Sequence, residues 1–150
     1  MKSVVSRDEW EIGGCPVAGP ALCLDASNRI TIVWFTGGGS RPGLYYARST
    51  GGGASFSRRR LLDPDQKLGK HASAVAAANG KVLVTWDDST EKPLTSWGTL
   101  DPGTGSLQKL GSSADVTYPV GAAAGDFLLV VGVQNSKHEV FVHTASLKSR

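Results

Sequence analysis

Long apolar runs and charge are both scarce in this 150-residue chain. No stretch of about 18 apolar residues occurs, which excludes a membrane-spanning helix. Charged residues make up 19% and the net charge is +3. A nucleic-acid binder would carry a basic stripe with interleaved aromatics, so no nucleic-acid partner is expected. The one basic run, Arg58-Arg59-Arg60, reads as a solvated strand or loop. The two cysteines, Cys15 and Cys23, are too few for a disulfide scaffold. Their spacing is not that of a zinc site and no histidine lies near them in sequence. Cys23 reads as a buried strand thiol and Cys15 as a loop residue. A histidine-only metal site from His71, His138 and His143 is not expected either. Residues 1–14 have no apolar core of a signal peptide, so the chain as it stands reads as cytoplasmic, with a trimmed leader as the alternative. The Gly-rich segments 36–40 and 50–54 open no helix, so no phosphate cradle and no cofactor are expected.

Glycine is abundant instead: 19 residues, against a usual ~7% of a chain. A chain of this length is one ordinary domain, able to bury roughly 70% of its unfolded surface. Rich in turn residues and poor in 3.6-residue periodicity, it predicts many short strands. Three stretches are self-similar: Ala21 to Trp34, Ala74 to Trp86 and Val120 to Gly132. Each has a small-residue segment, then a turn (Ser27-Asn28, Asn79-Gly80, Gly125-Asp126), then a β-branched apolar run. Asn, Asp and Gly tolerate the positive φ that hairpins require. Third strands follow at 44–48, 94–97 and 139–143, and fourth strands at 56–62 and 106–110. The spacing from Trp34 to Trp86 to Gly132 is 52 and then 46 residues.

Four-stranded antiparallel units at this period predict β-propeller blades. The crowded inner strand explains the small residues of 72–78 and 121–125. The expected fold is all-β, with about three blades at 15–65, 70–111 and 117–148 and a segment 1–14 belonging to a neighbouring blade. A β-sandwich is the alternative. Trp34, Tyr45, Tyr46, Trp86 and Trp97 are expected to pack within and between the blades.

Ser49-Thr50-Gly51-Gly52-Gly53-Ala54-Ser55-Phe56 resembles the Asp-box of bacterial neuraminidase repeats, Ser-x-Asp-x-Gly-x-Thr-Trp. Ser49, Gly53, Ser55 and Phe56 match, and Gly51 replaces the Asp. Ser6 to Trp10 resembles a shortened box. With Gly14 to Ala21, Val33 to Thr36 and Tyr45 to Ser49, the chain is similar to sialidase-superfamily propellers. The resemblance implies six blades, of which this chain holds about three, and structural hairpins at the boxes. Two copies are therefore expected to close a ring, each N-terminal segment completing the partner's last blade, with a chain that is half of a longer protein, or a relic of one, as the alternative.

The resemblance also implies an arginine triad, a Tyr–Glu nucleophile pair and an acidic Asp. No arginine precedes any inner strand, so that catalytic set is not carried over. In a propeller the ligand face carries the loops before the first and after the second strand of each blade. This singles out Arg41, His71, Asp87, Asp88, Tyr118, Gln134 and Asn135 as candidate ligand-binding residues, able to offer donors, acceptors and a stacking ring. The expected function is a non-catalytic module binding a glycan or another small polar ligand. A sialidase-type hydrolase whose site forms across two halves and a vestigial structural fragment are the alternatives.

Overall fold

The computed structural model describes residues 2–11, 18–63, 69–77, 80–88 and 92–147. They form eleven strands and, among the described residues, no α-helix: β1 (Ala21–Leu24), β2 (Ile30–Thr36), β3 (Gly43–Ser49), β4 (Arg60–Leu61), β5 (Gly69–Ala76), β6 (Val82–Asp88), β7 (Leu94–Leu100), β8 (Leu107–Ala114), β9 (Val116–Ala124), β10 (Phe127–Gln134) and β11 (Glu139–Ser146). They make three antiparallel sheets in strict chain order, β1-β2-β3-β4, β5-β6-β7-β8 and β9-β10-β11. Each sheet is one blade. The expected all-β propeller architecture is what the chain adopts, and the third blade has three strands among the described residues.

The blades stack face to face along the chain. Cys23, Val33, Phe35, Leu44, Tyr46 and Leu62 of the first meet Val82, Val84, Trp86 and Leu100 of the second. Leu83 and Trp97 of the second meet Leu128 and Val130 of the third. The inner strands must be thin where blades converge. A Cβ at Gly121 would come within 3.0 Å of Leu83. Trp86, Trp97, Tyr45 and Tyr46 are buried as expected. Trp34 is half-buried and donates Nε1–H to Asp8 at 2.5 Å.

Antiparallel order gives each blade two distinct ends. One end, here the upper, carries the starts of β1, β5 and β9. The lower end carries the β3–β4 and β7–β8 turns. In the first of these, Ser49 Oγ accepts from Gly51 N (3.3 Å) and Gly53 N (3.0 Å). In the second, Asp101 Oδ1 accepts from Gly103 N (2.8 Å) and Thr104 N (3.2 Å). Ser55 is exposed and Phe56 half-buried.

Three expectations need correction. The fourth strand of the first blade is β4 alone, not 56–62. Ser57 N–H donates to Arg48 O at 2.8 Å, but Arg48 N–H goes to the Ser57 hydroxyl at 3.1 Å, so a side chain takes the place of one backbone acceptor there. Second, the segment 1–14, expected as part of a neighbouring blade, forms no strand over residues 2–11. They run from the lower end, where Ser3 Oγ donates to Gly53 O, to the upper end, where a Cβ on Gly38 would overlap the Asp8 carbonyl. Third, Arg58-Arg59-Arg60 is not uniformly solvated. Arg59 forms an ion pair with Asp8 and lies over the Tyr45 ring, 4.8 Å from its centroid. Cys23 is buried in β1, and burial pushes its thiol up to about 11, with the Asp25 charge adding and the Thr31 backbone contact opposing. Cys15 and Asn79 lie outside the described residues.

Candidate functional site

The upper-end site is built by a segment that strides across the second blade. After β8, residues 116–121, the first part of β9, pass β7, β6 and β5 in turn as the inner strand of the third blade begins. Backbone polar groups in such a buried crossing need partners, and side chains of the second blade supply them. Thr95 Oγ1 donates to Val116 O at 2.8 Å, and Thr85 Oγ1 donates to Pro119 O at 3.1 Å. Asp87 Oδ2 accepts from Tyr118 N at 3.1 Å, and Ser73 Oγ accepts from Gly121 N at 2.8 Å. Ser73 and Thr85 hydroxyls sit 2.7 Å apart. Since Thr85 gives its proton to a carbonyl, Ser73 donates to Thr85. The chain of hydroxyls is thereby directed and satisfied.

Two bulges aim side chains from this frame. Register shifts interrupt β5–β6 between Lys70 and Ser73, and β9–β10 at Val131/Val133. His71 (φ 39°) and Tyr118 (φ 52°) lie in the left-handed region there. Non-glycine residues held so cost about 1–3 kcal/mol each and persist only where surroundings over-determine them. Asp87 is the surrounding that both share. It is 3% exposed. His71 Nδ1 lies 2.8 and 3.0 Å from its two oxygens. A carboxylate accepts, so Nδ1 carries a proton and Nε2 faces away. Nε2 is buried and has no hydrogen-bond partner among the described residues. The Tyr118 ring packs on His71, with centroids 4.4 Å apart, and is itself 58% exposed. A cleft of about 270 Å³ opens beside them, bordered by Gly19-Pro20, His71-Ala72-Ser73 and Tyr118-Pro119-Val120. All three blades contribute their inner-strand approach to it.

Of the seven candidate residues, His71, Asp87 and Tyr118 are brought together. Asp88 ends β6 beside them, half-buried, and does not border the cleft. Arg41 is exposed in the β2–β3 loop, where its carbonyl accepts from the Tyr45 hydroxyl at 2.7 Å. Gln134 and Asn135 sit at the end of β10. Asn135 accepts from Thr117 Oγ1 (3.2 Å) and donates Nδ2–H to Asp115 O (3.3 Å), which pins the crossing segment. Asp115 accepts from Ser136, which holds its carboxyl below the ordinary range, with Lys137 helping and slight burial opposing. Sequence reasoning missed Ser73, Thr85 and Thr95. Their signal is weak, because a hydroxyl in a strand is unremarkable until the segment crossing it is known.

No protein-family model matches the chain, and no curated protein matches it in sequence. Among solved structures, the Hadza microbial sialidase Hz136 superposes with a TM-score of 0.62 at 17% identity, over 84% of this chain and 30% of that one. The fold is a sialidase-like propeller segment. A puromycin hydrolase also aligns at 17% identity over 89% of this chain and 28% of its own, with a TM-score of only 0.29. The segment thus spans about a third of the sialidase it matches. No arginine borders its upper-end cleft among the described residues.

Proposed function

We propose that this sialidase-like segment is an assembly module, three blades that close a six-bladed ring by docking on a second copy and hold a small polar ligand, such as a glycan, without hydrolysing it. The observation that carries the reading is the bare flank of the third blade. β10, Phe127-Leu128-Leu129-Val130-Val131-Gly132-Val133, is apolar on both faces, as is the Val82-Leu83-Val84 half of β6. A strand apolar on both faces is built for burial on both. For β6 that is met, Val82 to Trp86 all being buried. In β10 only Leu128, Val130 and Gly132 are covered. Phe127 (70% exposed), Leu129, Val131 and Val133 line up with Val120, Val140 and Val142 on one open face. A continuous apolar patch of this kind marks an interface.

The far flank of the first blade is its complement. Residues 3–8 lie along the outer half, where Tyr45 and Ala47 are buried, and leave Leu22 and Leu24 exposed on the inner half. The segment runs from the lower to the upper end, the direction of β4 and β8. A third blade from a second copy, docked on Leu22 and Leu24, would set its β11 edge beside this segment, which would then serve as its fourth strand. An apolar gap of about 410 Å³ between Val5, Trp10, Pro20, Ile32 and Trp34 leaves room for that approach. Six blades result, each with four outward steps.

The ligand half of the reading rests on the His71–Asp87–Tyr118 cluster and on a cleft without a guanidinium to hold a sialic-acid carboxylate. Two assays test it together: binding on a glycan array, and turnover of a fluorogenic sialoside. Binding lost in Tyr118→Ala, with no turnover by the parent protein, is the expected result. Turnover abolished by Arg41→Ala would favour a hydrolase formed across two halves.

A further inference from the structure

The lower end of the molecule holds a second cavity, about 590 Å³, between the β3–β4 turn of the first blade and the β7–β8 turn of the second. Arg48, Arg58 and Arg60 border it, with Tyr46, Ser57 and Gly103. None of the three guanidinium groups forms an ion pair among the described residues. The nearby Asp101 accepts from Thr104 N and Gly103 N of its own turn, which hold its carboxyl below the ordinary range with the Arg48 charge adding a smaller share. Arg60 Nη1 donates to Thr104 O at 3.3 Å, which fixes its direction.

Two buried donors in this wall are unanswered. Tyr46 is 2% exposed, and its hydroxyl has no hydrogen-bond partner among the described residues. Arg48 Nε is likewise buried and unpartnered. Buried polar groups are otherwise almost always paired. Glycine keeps the space open at this point. Gly105 has φ +86°, and a Cβ there would stand 2.8 Å from the Tyr46 oxygen and 3.1 Å from Arg60 Nη1. The guanidinium groups can only donate, and the Tyr46 hydroxyl has its proton to give. A group that answers them accepts at several oxygens and is anionic, and three bordering guanidinium groups against the one nearby carboxylate of Asp101 favour more than one negative charge.

We infer that this cavity binds a phosphate monoester carried on a small polar molecule, at the end of the blades opposite the His71 cleft. A dianionic tetrahedral oxyanion presents oxygens to the guanidinium forks and to Tyr46 at once. The volume exceeds that of the oxyanion, leaving room for a polar body against Phe56 and Pro102.

Calorimetric titration of the full chain at constant ionic strength tests this with four probes: inorganic phosphate, glucose 6-phosphate, glucose and acetate. Saturable binding of glucose 6-phosphate, tighter than phosphate and absent for glucose and acetate, is expected. Binding of phosphate and glucose 6-phosphate with equal affinity would keep the oxyanion site and overturn the small-molecule ester. Arg58→Ala, an exposed position outside the core, should weaken binding about tenfold or more, the scale of a lost charge-assisted contact. Tyr46→Phe keeps the ring packing and should weaken binding while leaving the free protein at least as stable, since it deletes an unanswered hydroxyl. Absence of saturable binding by either phosphate probe, or affinity unchanged in both variants, would overturn the inference.

Discussion

Asp87 receives the backbone N–H of Tyr118 at 3.1 Å across a gap of 31 residues, and with the bonds of Thr95, Thr85 and Ser73 this contact ties the third blade's inner strand to the second blade. The same carboxylate orients His71. Asp87→Ala therefore strands a buried amide and releases the imidazole. Stranding the amide costs about 1–3 kcal/mol. Urea denaturation should show that loss, and ligand binding at the upper cleft should vanish with it. Asp87→Asn keeps an acceptor oxygen for Tyr118 and should lose less.

Two threonines of similar burial separate satisfied from unsatisfied hydroxyls. Thr85 Oγ1 bridges Ser73 and Pro119, whereas Thr99 Oγ1 is buried without a partner among the described residues. Thr85→Val should cost about 1–3 kcal/mol by leaving a carbonyl and a hydroxyl unpaired. Thr99→Val removes a group that gains nothing and should be neutral or stabilising. Equal effects in chemical denaturation would contradict the directed chain of hydroxyls.

Acid should release the N-terminal segment before the blades. Burial raises the Asp8 carboxyl, but Ser6, Trp34 and Arg59 together outweigh it and hold the folded value below the ordinary one. A depressed folded pKa gives stability that is complete above the unfolded value, near ~3.9, and lost as pH falls through the folded value. Tryptophan fluorescence, in which Trp10 lies in the segment and Trp34 contacts it while Trp86 and Trp97 stay buried, should change below about pH 4. Asp8→Asn should show the released signal already at neutral pH and little further change in acid.

The blade repeat was legible because it is written in local chemistry. The alanines of β5 and the Asn28 and Gly125 turns, both at positive φ, announce themselves. Of the site, His71, Asp87 and Tyr118 could be named as members of one face. Their meeting could not, because Lys70-His71 and Tyr118-Pro119 read as ordinary strand starts, and only the crossing segment forces the two bulges. The lower cavity was hidden for another reason. Arg48 is ten residues from Arg58, and only the β3–β4 turn folds them to one wall.

Cys23 offers a check on the first inter-blade core. Its thiol, pushed up to about 11 by burial, stays protonated at pH 8 and should resist alkylation in a Cys15→Ser protein until denaturant is added. Fast labelling in buffer would contradict the packing of β1 against the second blade.

The flank of Val131 and Val142 decides whether the three blades stand alone. Sedimentation equilibrium of the whole chain measures this directly. A species of twice 15.7 kDa is expected, reduced to a single chain by Val131→Lys. A parent protein that sediments as one chain up to its solubility limit would contradict the ring of two copies.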